Sequence, residues 1–146
     1  MNTAITQWRS TFTLRSCIWL LVFCAVAPFV YAFITAYWAL LTPQLRPLGI
    51  RSREAAFVAI ALFNAVGVML AAVVLACPLT ILARTQSVAL GVTLGLITVA
   101  ILLKIEHINE LSELPSWFSV IEYSAFVLFC ALASHLTARA MGRTRV

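Results

Sequence analysis

Four long runs without a charged side chain constrain the fold of this chain more than any other feature. They cover residues 16–45, 55–83, 85–103 and 123–138. A helix needs about 20 mostly apolar residues to cross the hydrocarbon layer of a bilayer. The first three runs suffice as they stand, and the fourth reaches this length if it begins near Trp117 and includes Glu122. The runs therefore predict four transmembrane helices.

The composition agrees with this interpretation. Hydrophobic residues make up 63% of the chain and charged residues only 10%, which lies far outside the range of soluble globular domains. The net charge of +5 comes from basic residues that flank the apolar runs. We therefore expect these residues to face anionic lipid headgroups, and we expect no nucleic-acid partner.

We predict an all-α fold: a polytopic integral membrane protein, built as an antiparallel bundle of four transmembrane helices. Residues 1–146 form a single membrane domain with short loops. The predicted spans are about 16–41, 55–77, 88–104 and 117–137. The second span should end before Pro78, because proline lacks the N–H that an interior helical position needs.

The first apolar run begins like a secretory leader, since Arg9 and Arg15 precede it. The apolar run continues to Leu41 without a break, which favours an uncleaved first span over a removed leader. The four cysteines lie within or at the ends of spans and form no CxxC pair. We expect them to act as small, buried apolar residues.

The distribution of basic residues favours both termini in the cytoplasm. In that orientation the inner segments carry six Arg and Lys residues and the outer segments four, which is a modest positive-inside bias. The inner residues are Arg9, Arg15, Arg84, Arg139, Arg143 and Arg145. Small size and Arg-flanked spans make a bacterial inner membrane the simplest location.

In either orientation the first and third loops emerge on the same face of the bundle. The first loop is basic, and the segment after the third span is acidic. The basic residues are Arg46, Arg51 and Arg53, and the acidic ones are Glu106, Glu110 and Glu113. These loops could pair across the end of the bundle, although exposed ion pairs contribute only about 0–1 kcal/mol each.

The acidic segment is the densest group of candidate ligands. If the third helix continues through it, Glu106, Glu110 and Glu113 share one face, with His107 beside them. Carboxylates and an imidazole suit several divalent metals, but this spacing matches no established site. We therefore favour a solvated helix end, then a contact with a partner's basic surface. No metal and no cofactor is predicted.

Glu122 is the most informative single residue. It lies five residues beyond Trp117, so it sits roughly 7–8 Å along a helix from the expected interface. Ionisable groups inside a span are costly and often mark ion or proton pathways. The alternative is a shallow carboxylate that points to the headgroups or to the basic first loop.

Three further residues share one expected depth with each other, at the middle of the membrane. Pro28, Asn64 and Gly95 fall near the middle of the first, second and third spans. Transporters build midplane sites from broken helices, so this layer could bind a solute. Packing is the favoured interpretation, because Asn commonly joins helices. Gly67 with Ala71, and Gly91 with Gly95, also form the small-xxx-small pairs of close helix contacts.

Three classes of function remain open at this point. The first is an accessory or regulatory subunit that packs against a larger membrane protein, including an immunity-type protein that blocks a toxin within the bilayer. The second is a small homo-oligomeric transporter or channel that uses Glu122 and the layer of Pro28, Asn64 and Gly95. The third, a membrane enzyme, is disfavoured because the short loops offer no paired nucleophile and base.

Overall fold

The computed structural model contains four long α-helices and describes residues 14–40, 53–83, 88–109 and 116–143. Within these ranges there is no β-strand. The helices are α1 (Leu14–Ala39), α2 (Arg53–Ala83), α3 (Val88–Asn109) and α4 (Ser116–Arg143). The predicted all-α fold is confirmed.

Each helix contains an apolar segment long enough to cross a membrane. The four segments are Leu14–Trp38, Val58–Ala83, Val88–Ile105 and Phe118–Gly142. The shortest has 18 residues, and at a rise of about 1.5 Å per residue it covers roughly 27 Å. The chain is a multi-pass membrane protein.

The prediction that the second span stops before Pro78 is wrong, because α2 continues through this residue to Ala83. Proline removes one backbone N–H from the helix. Ending the helix there would expose more backbone groups at membrane depth, where each unsatisfied group costs several kcal/mol. Continuing the helix through apolar residues such as Leu79 and Ile81 avoids that cost. The α3 and α4 helices likewise run beyond the predicted ends, as far as Asn109 and Arg143.

Two hydrogen bonds join α1 to α2, one near each end. The Arg15 guanidinium donates from Nε to the carbonyl oxygen of Leu82 at 3.0 Å. The Trp38 indole donates from Nε1 to the carbonyl oxygen of Phe63 at 2.8 Å, and its ring stacks on that of Phe63. The beginning of α1 therefore lies beside the end of α2.

The most extensive interface in the bundle lies between α2 and α4, which are not consecutive. Near their beginnings the two helices share a cavity lined by Asn64 and Glu122. Near their ends Thr80 and Ser134 are joined by a hydrogen bond. The two helices thus run in the same direction. Since α1 contacts α2 and α3, and α3 contacts α4, the order around the bundle is α1–α2–α4–α3.

Small side chains on α2 make this close packing possible. Ala71, Ala72 and Ala76 are completely buried on the face that α2 turns to the bundle interior. Larger core side chains, among them Leu94 from α3 and Phe126 from α4, are buried around this face. Helices in lipid associate chiefly through such close contacts, because lipid tails are as apolar as the side chains themselves.

The glycines of the predicted small-residue pairs are used for contacts within the chain. A Cβ atom added at Gly91 would overlap the carbonyl oxygen of Cys130 and the side chain of Ser134. At Gly95 it would lie 3.0 Å from the Cα atom of Val127. The first two contacts are tighter than the third, and all three bring α3 onto α4.

We expect Gly91→Ala to destabilise the protein by about 1–3 kcal/mol, the usual cost of overpacking a close contact. This loss should exceed the helix-propensity gain of up to about 1 kcal/mol that replacing glycine by alanine brings. The free energy of unfolding in detergent micelles is the measurement. Gly95→Ala should cost less, because its neighbours leave more room, and Ala100→Leu on the exposed face of α3 serves as control. Equal stability of Gly91→Ala and the native protein would contradict this contact.

Candidate functional site

The described interior contains two polar clusters, one toward each end of the bundle. We call the first the carboxylate cluster, formed by Tyr31, Asn64 and Glu122 near the beginning of α4. The second, the hydroxyl cluster, lies near the end of α4. Its members are Cys77, Thr80, Ser134 and Thr137.

The carboxylate cluster is held by a hydrogen bond across the bundle. Tyr31 on α1 donates from its hydroxyl to Glu122 Oε1 at 2.6 Å. This distance falls in the range of O–H···O⁻ hydrogen bonds, which are shorter than neutral ones. The Tyr31 ring packs edge-on against Phe126 at a centroid distance of 4.9 Å, with Tyr123 at 6.4 Å. The aromatic contacts fix the phenol so that it directs the carboxylate inward.

Glu122 is half-buried and lies one helical turn beyond Phe118, at the beginning of the apolar segment of α4. Along the helix axis, Glu122 lies about 6 Å from Phe118. The sequence left open whether this carboxylate turns to the headgroups or into the bundle. The structure shows it bonded to Tyr31 inside the bundle.

A small cavity between α2 and α4 reaches the Glu122 side chain. Its volume is about 30 Å³. The lining residues are Ala61, Asn64, Ala65, Val68, Phe118, Ile121, Glu122 and Ala125. Val68 and Phe118 are buried and form its inner wall, whereas Ile121 is 56% exposed and marks the outer rim. Because a void of roughly 10–15 Å³ holds one water molecule, the cavity has room for about two or three groups of that size.

Of the three residues predicted to form a midplane layer, only Asn64 lies beside the cavity at Glu122. Asn64 lines the cavity beside Glu122, while neither Pro28 nor Gly95 lines it. Gly95 faces Val127, which lies about 7–8 Å further along α4 than Glu122. Asn64 and Glu122 are therefore the two predicted site residues that the fold brings together.

The charged end segments lie largely outside the described residues. This applies to Arg46, Arg51, Glu110 and Glu113, and to the side chains of Arg53, Glu106 and His107. Their predicted pairing and partner contacts stay predictions. Within the part of the chain that the structure describes, no three His, Cys, Asp or Glu residues come together as metal ligands would.

The hydroxyl cluster is a polar contact between helices that the sequence analysis did not single out. Thr80 donates to the carbonyl oxygen of Ala76 at 2.7 Å, and its Oγ1 lies 3.1 Å from that of Ser134 in a second hydrogen bond. Thr137 donates to the sulfur of Cys77 at 3.2 Å. The only signal in the sequence is the presence of hydroxyl residues inside two apolar runs. These bonds join α2 to α4 and are structural in character.

A dry layer separates the two clusters. Between the two clusters each helix contributes an apolar side chain that is 0% exposed, namely Ala27, Ala72, Leu94 and Phe126.

Comparison with family models, with curated proteins and with solved structures finds no match for this chain. The functional conclusion rests on the geometry of the two clusters and of the layer between them.

Removing the Tyr31 hydroxyl should weaken the carboxylate cluster. We expect Tyr31→Phe to lower the free energy of unfolding by about 1–2 kcal/mol, as for a hydrogen bond to a charged group in a membrane protein. The loss of unfolding free energy caused by Tyr31→Phe should be smaller when Glu122→Gln is already present. A double-mutant cycle of unfolding free energies in detergent measures this difference. Tyr37→Phe, at an exposed position on the same helix, is the matched control. Equal losses at both tyrosines would contradict a specific Tyr31–Glu122 interaction.

Proposed function

We propose that the protein is a non-enzymatic, multi-pass membrane protein that acts as an accessory or regulatory subunit. In this proposal its helices pack against a larger membrane partner and change that partner's stability or activity. An immunity-type protein, which blocks a toxin from within the bilayer, belongs to the same class. The observation that carries the proposal is the set of four fully buried apolar side chains between the two polar clusters, which we call the dry layer.

A solute pathway through one bundle would need polar groups at mid-depth, because a charged or polar species requires ligands when it leaves water. Between their two polar clusters the described helices instead place Ala27, Ala72, Leu94 and Phe126, which are fully buried. Such an apolar interior suits a bundle that packs against another protein without an internal solute pathway. This favours action through the outer surface of the bundle over conduction through its interior.

The outward surface is apolar on all four helices. Representative exposed side chains are Phe29 on α1, Val74 on α2, Leu96 on α3 and Leu128 on α4. Lipid tails and a partner's transmembrane helices are both compatible with this surface. A partner could therefore dock laterally while the bundle keeps its internal packing.

For location we propose a bacterial inner membrane with both termini in the cytoplasm. Arg15 and Arg139 are exposed at the same end of the bundle, where α1 begins and α4 ends. Lys104 is exposed near the end of α3. The surplus of Arg at the terminal end supports the proposed orientation through the positive-inside rule.

The alternative function is a small homo-oligomeric transporter or channel. The cavity beside Glu122 and Asn64 is the observation that favours it, because an intramembrane carboxylate with an amide neighbour can bind a cation. In that case the path would run between copies of the chain, since the dry layer lies within each bundle.

Photocrosslinking from the outer surface tests the accessory function directly. We expect a photoreactive amino acid at Phe29, Val74, Leu96 or Leu128, one position at a time, to crosslink a single larger membrane protein from one or two neighbouring helices. The same group at Leu79, which is 0% exposed, is the control and should give no intermolecular product. Crosslinks only between copies of this chain, or only to lipid, would contradict the proposal.

A flux assay tests the alternative function. Proteoliposomes that contain the purified protein should show no more proton or sodium flux than empty liposomes, because the dry layer blocks the described bundle. Accordingly, Glu122→Gln should leave the flux unchanged. A flux above the empty-liposome level that disappears in Glu122→Gln would move the conclusion to transport.

A further inference from the structure

We propose that the partner binds the outward face of α4 through one of its own transmembrane helices, and that this helix carries a carboxylate near the membrane edge at which α4 ends. This inference rests on the proposed accessory function and names the helix and the chemistry of the contact. We call the surface the outer ridge of α4. Its members are Ser124, Leu128, Ala131, His135 and Arg139.

Among the described helices, α4 is the one whose membrane-facing surface is polar. Inside the apolar segments of α1, α2 and α3 the exposed side chains are apolar, apart from groups near the segment ends such as Tyr37 and Lys104. On α4, by contrast, Ser124 and His135 are both exposed well inside the segment. The polar surface at membrane depth is therefore confined to one helix.

The two polar residues lie on one line along α4. They are eleven residues apart, which is close to three turns of an α-helix, so both project from the same face. Leu128, which is 68% exposed, and Ala131, which is half-buried, lie between them. The ridge thus has a polar group near each end and a small residue at its centre.

Ser124 and His135 lie at the depth of the lipid acyl chains. The apolar segment Phe118–Gly142 is centred on Cys130. Along the axis Ser124 is about 9 Å and His135 about 7.5 Å from that centre, and half of the hydrocarbon layer is about 15 Å thick. Within the described residues neither side chain makes a hydrogen bond or an ion pair. An imidazole has one donor and one acceptor, and leaving them unbonded in lipid is costly.

A transmembrane helix meets these requirements better than lipid does. Acyl chains offer no hydrogen-bond donor or acceptor, and the polar groups of a lipid stay near one membrane edge. A neighbouring helix can present polar side chains at the depths of Ser124 and His135 together. The small side chain of Ala131 allows it to approach closely between them, as helices in membranes commonly do.

Arg139 determines the charge of that helix. It is exposed one turn beyond His135 on the same side of α4, so both residues can donate to one carboxylate. Within Phe118–Gly142 the only acidic residue is Glu122, near the opposite end. Two copies of this chain inserted in the same orientation would meet at equal depth and bring Arg139 against Arg139. The favoured occupant is therefore a different protein with an Asp or Glu at this level.

Synthetic transmembrane peptides test the ridge without the natural partner. Polyleucine helices carry Glu one turn from each end, or Gln at the same positions, so that the direction of insertion does not matter. Each peptide is labelled and reconstituted with the native protein in phosphatidylcholine vesicles at about pH 8, where a carboxylate is ionised. Energy transfer measures association. We expect the Glu peptide to bind about tenfold more tightly than the Gln peptide, as for a desolvated charge pair.

Matched variants assign the interaction to the ridge, and the exposed positions of His135 and Arg139 leave the core intact. In Arg139→Gln the two peptides should bind equally, and Arg139→Glu should instead prefer a peptide with Lys at the same positions. His135→Leu should weaken binding of the Glu peptide, whereas Ala100→Leu on the exposed face of α3 should not. Equal binding of the Glu and Gln peptides to the native protein would overturn the inference.

Two other occupants are outcomes of the same assay. If replacing about a fifth of the lipid by phosphatidylglycerol removes the preference for the Glu peptide, the ridge binds a lipid phosphate and the inference is wrong. Energy transfer between labelled copies of the native protein that disappears in His135→Leu would assign the ridge to a homo-oligomer. That result would equally overturn the choice of a different protein.

Failure of this inference is separable from failure of the accessory function. A photoreactive amino acid at Leu128 on the ridge should crosslink the partner, whereas one at Phe29 on α1 should not. Crosslinks to a partner from Phe29 and none from Leu128 would leave the accessory function standing and show that α4 is the wrong helix. If no partner is captured while the Glu peptide still binds through Arg139, the accessory function fails and the ridge remains a surface that binds a helix.

Discussion

Close approach between helix backbones is the constraint on which this bundle depends. In a bilayer, apolar side chains gain little by leaving lipid for protein, so helices associate through tight contact and hydrogen bonds. The buried alanines of α2 and the glycine of α3 at position 91 provide that contact along both sides of α4. Because α4 is held on two sides, Glu122 and Ser134 keep fixed positions relative to α2. Both polar clusters follow from the same packing.

The sequence predicts the number and nature of the helices, because the length of each charge-free run relates directly to the thickness of the membrane. It is less informative at helix ends. Pro78 would end a helix in water, but in lipid the cost of leaving backbone groups unsatisfied is larger than the cost of one lost hydrogen bond. The polar ends of α3 and α4 extend past the apolar runs because a helix can continue into the interface.

The arrangement of the site could not be predicted, and the reason is physical. All four helices are apolar around most of their circumference, so the pattern does not show which face turns inward. Short loops allow several orders around the bundle, and the observed one puts α4 beside α2. The sequence analysis joined Asn64 and Glu122 only within the transporter hypothesis, together with Pro28 and Gly95, and did not predict that these two residues line one cavity. Their meeting, and the role of Tyr31 from α1, depend on that order.

The two hydrogen bonds that join α1 to α2 have a consequence for the order of events during synthesis. Arg15 with Leu82, and Trp38 with Phe63, involve residues of the first two helices alone. Both hydrogen bonds of this helical hairpin can therefore form while the rest of the chain is still on the ribosome. The bond between Tyr31 and Glu122 must wait for the last helix. The carboxylate cluster is therefore complete only after the last helix has been inserted.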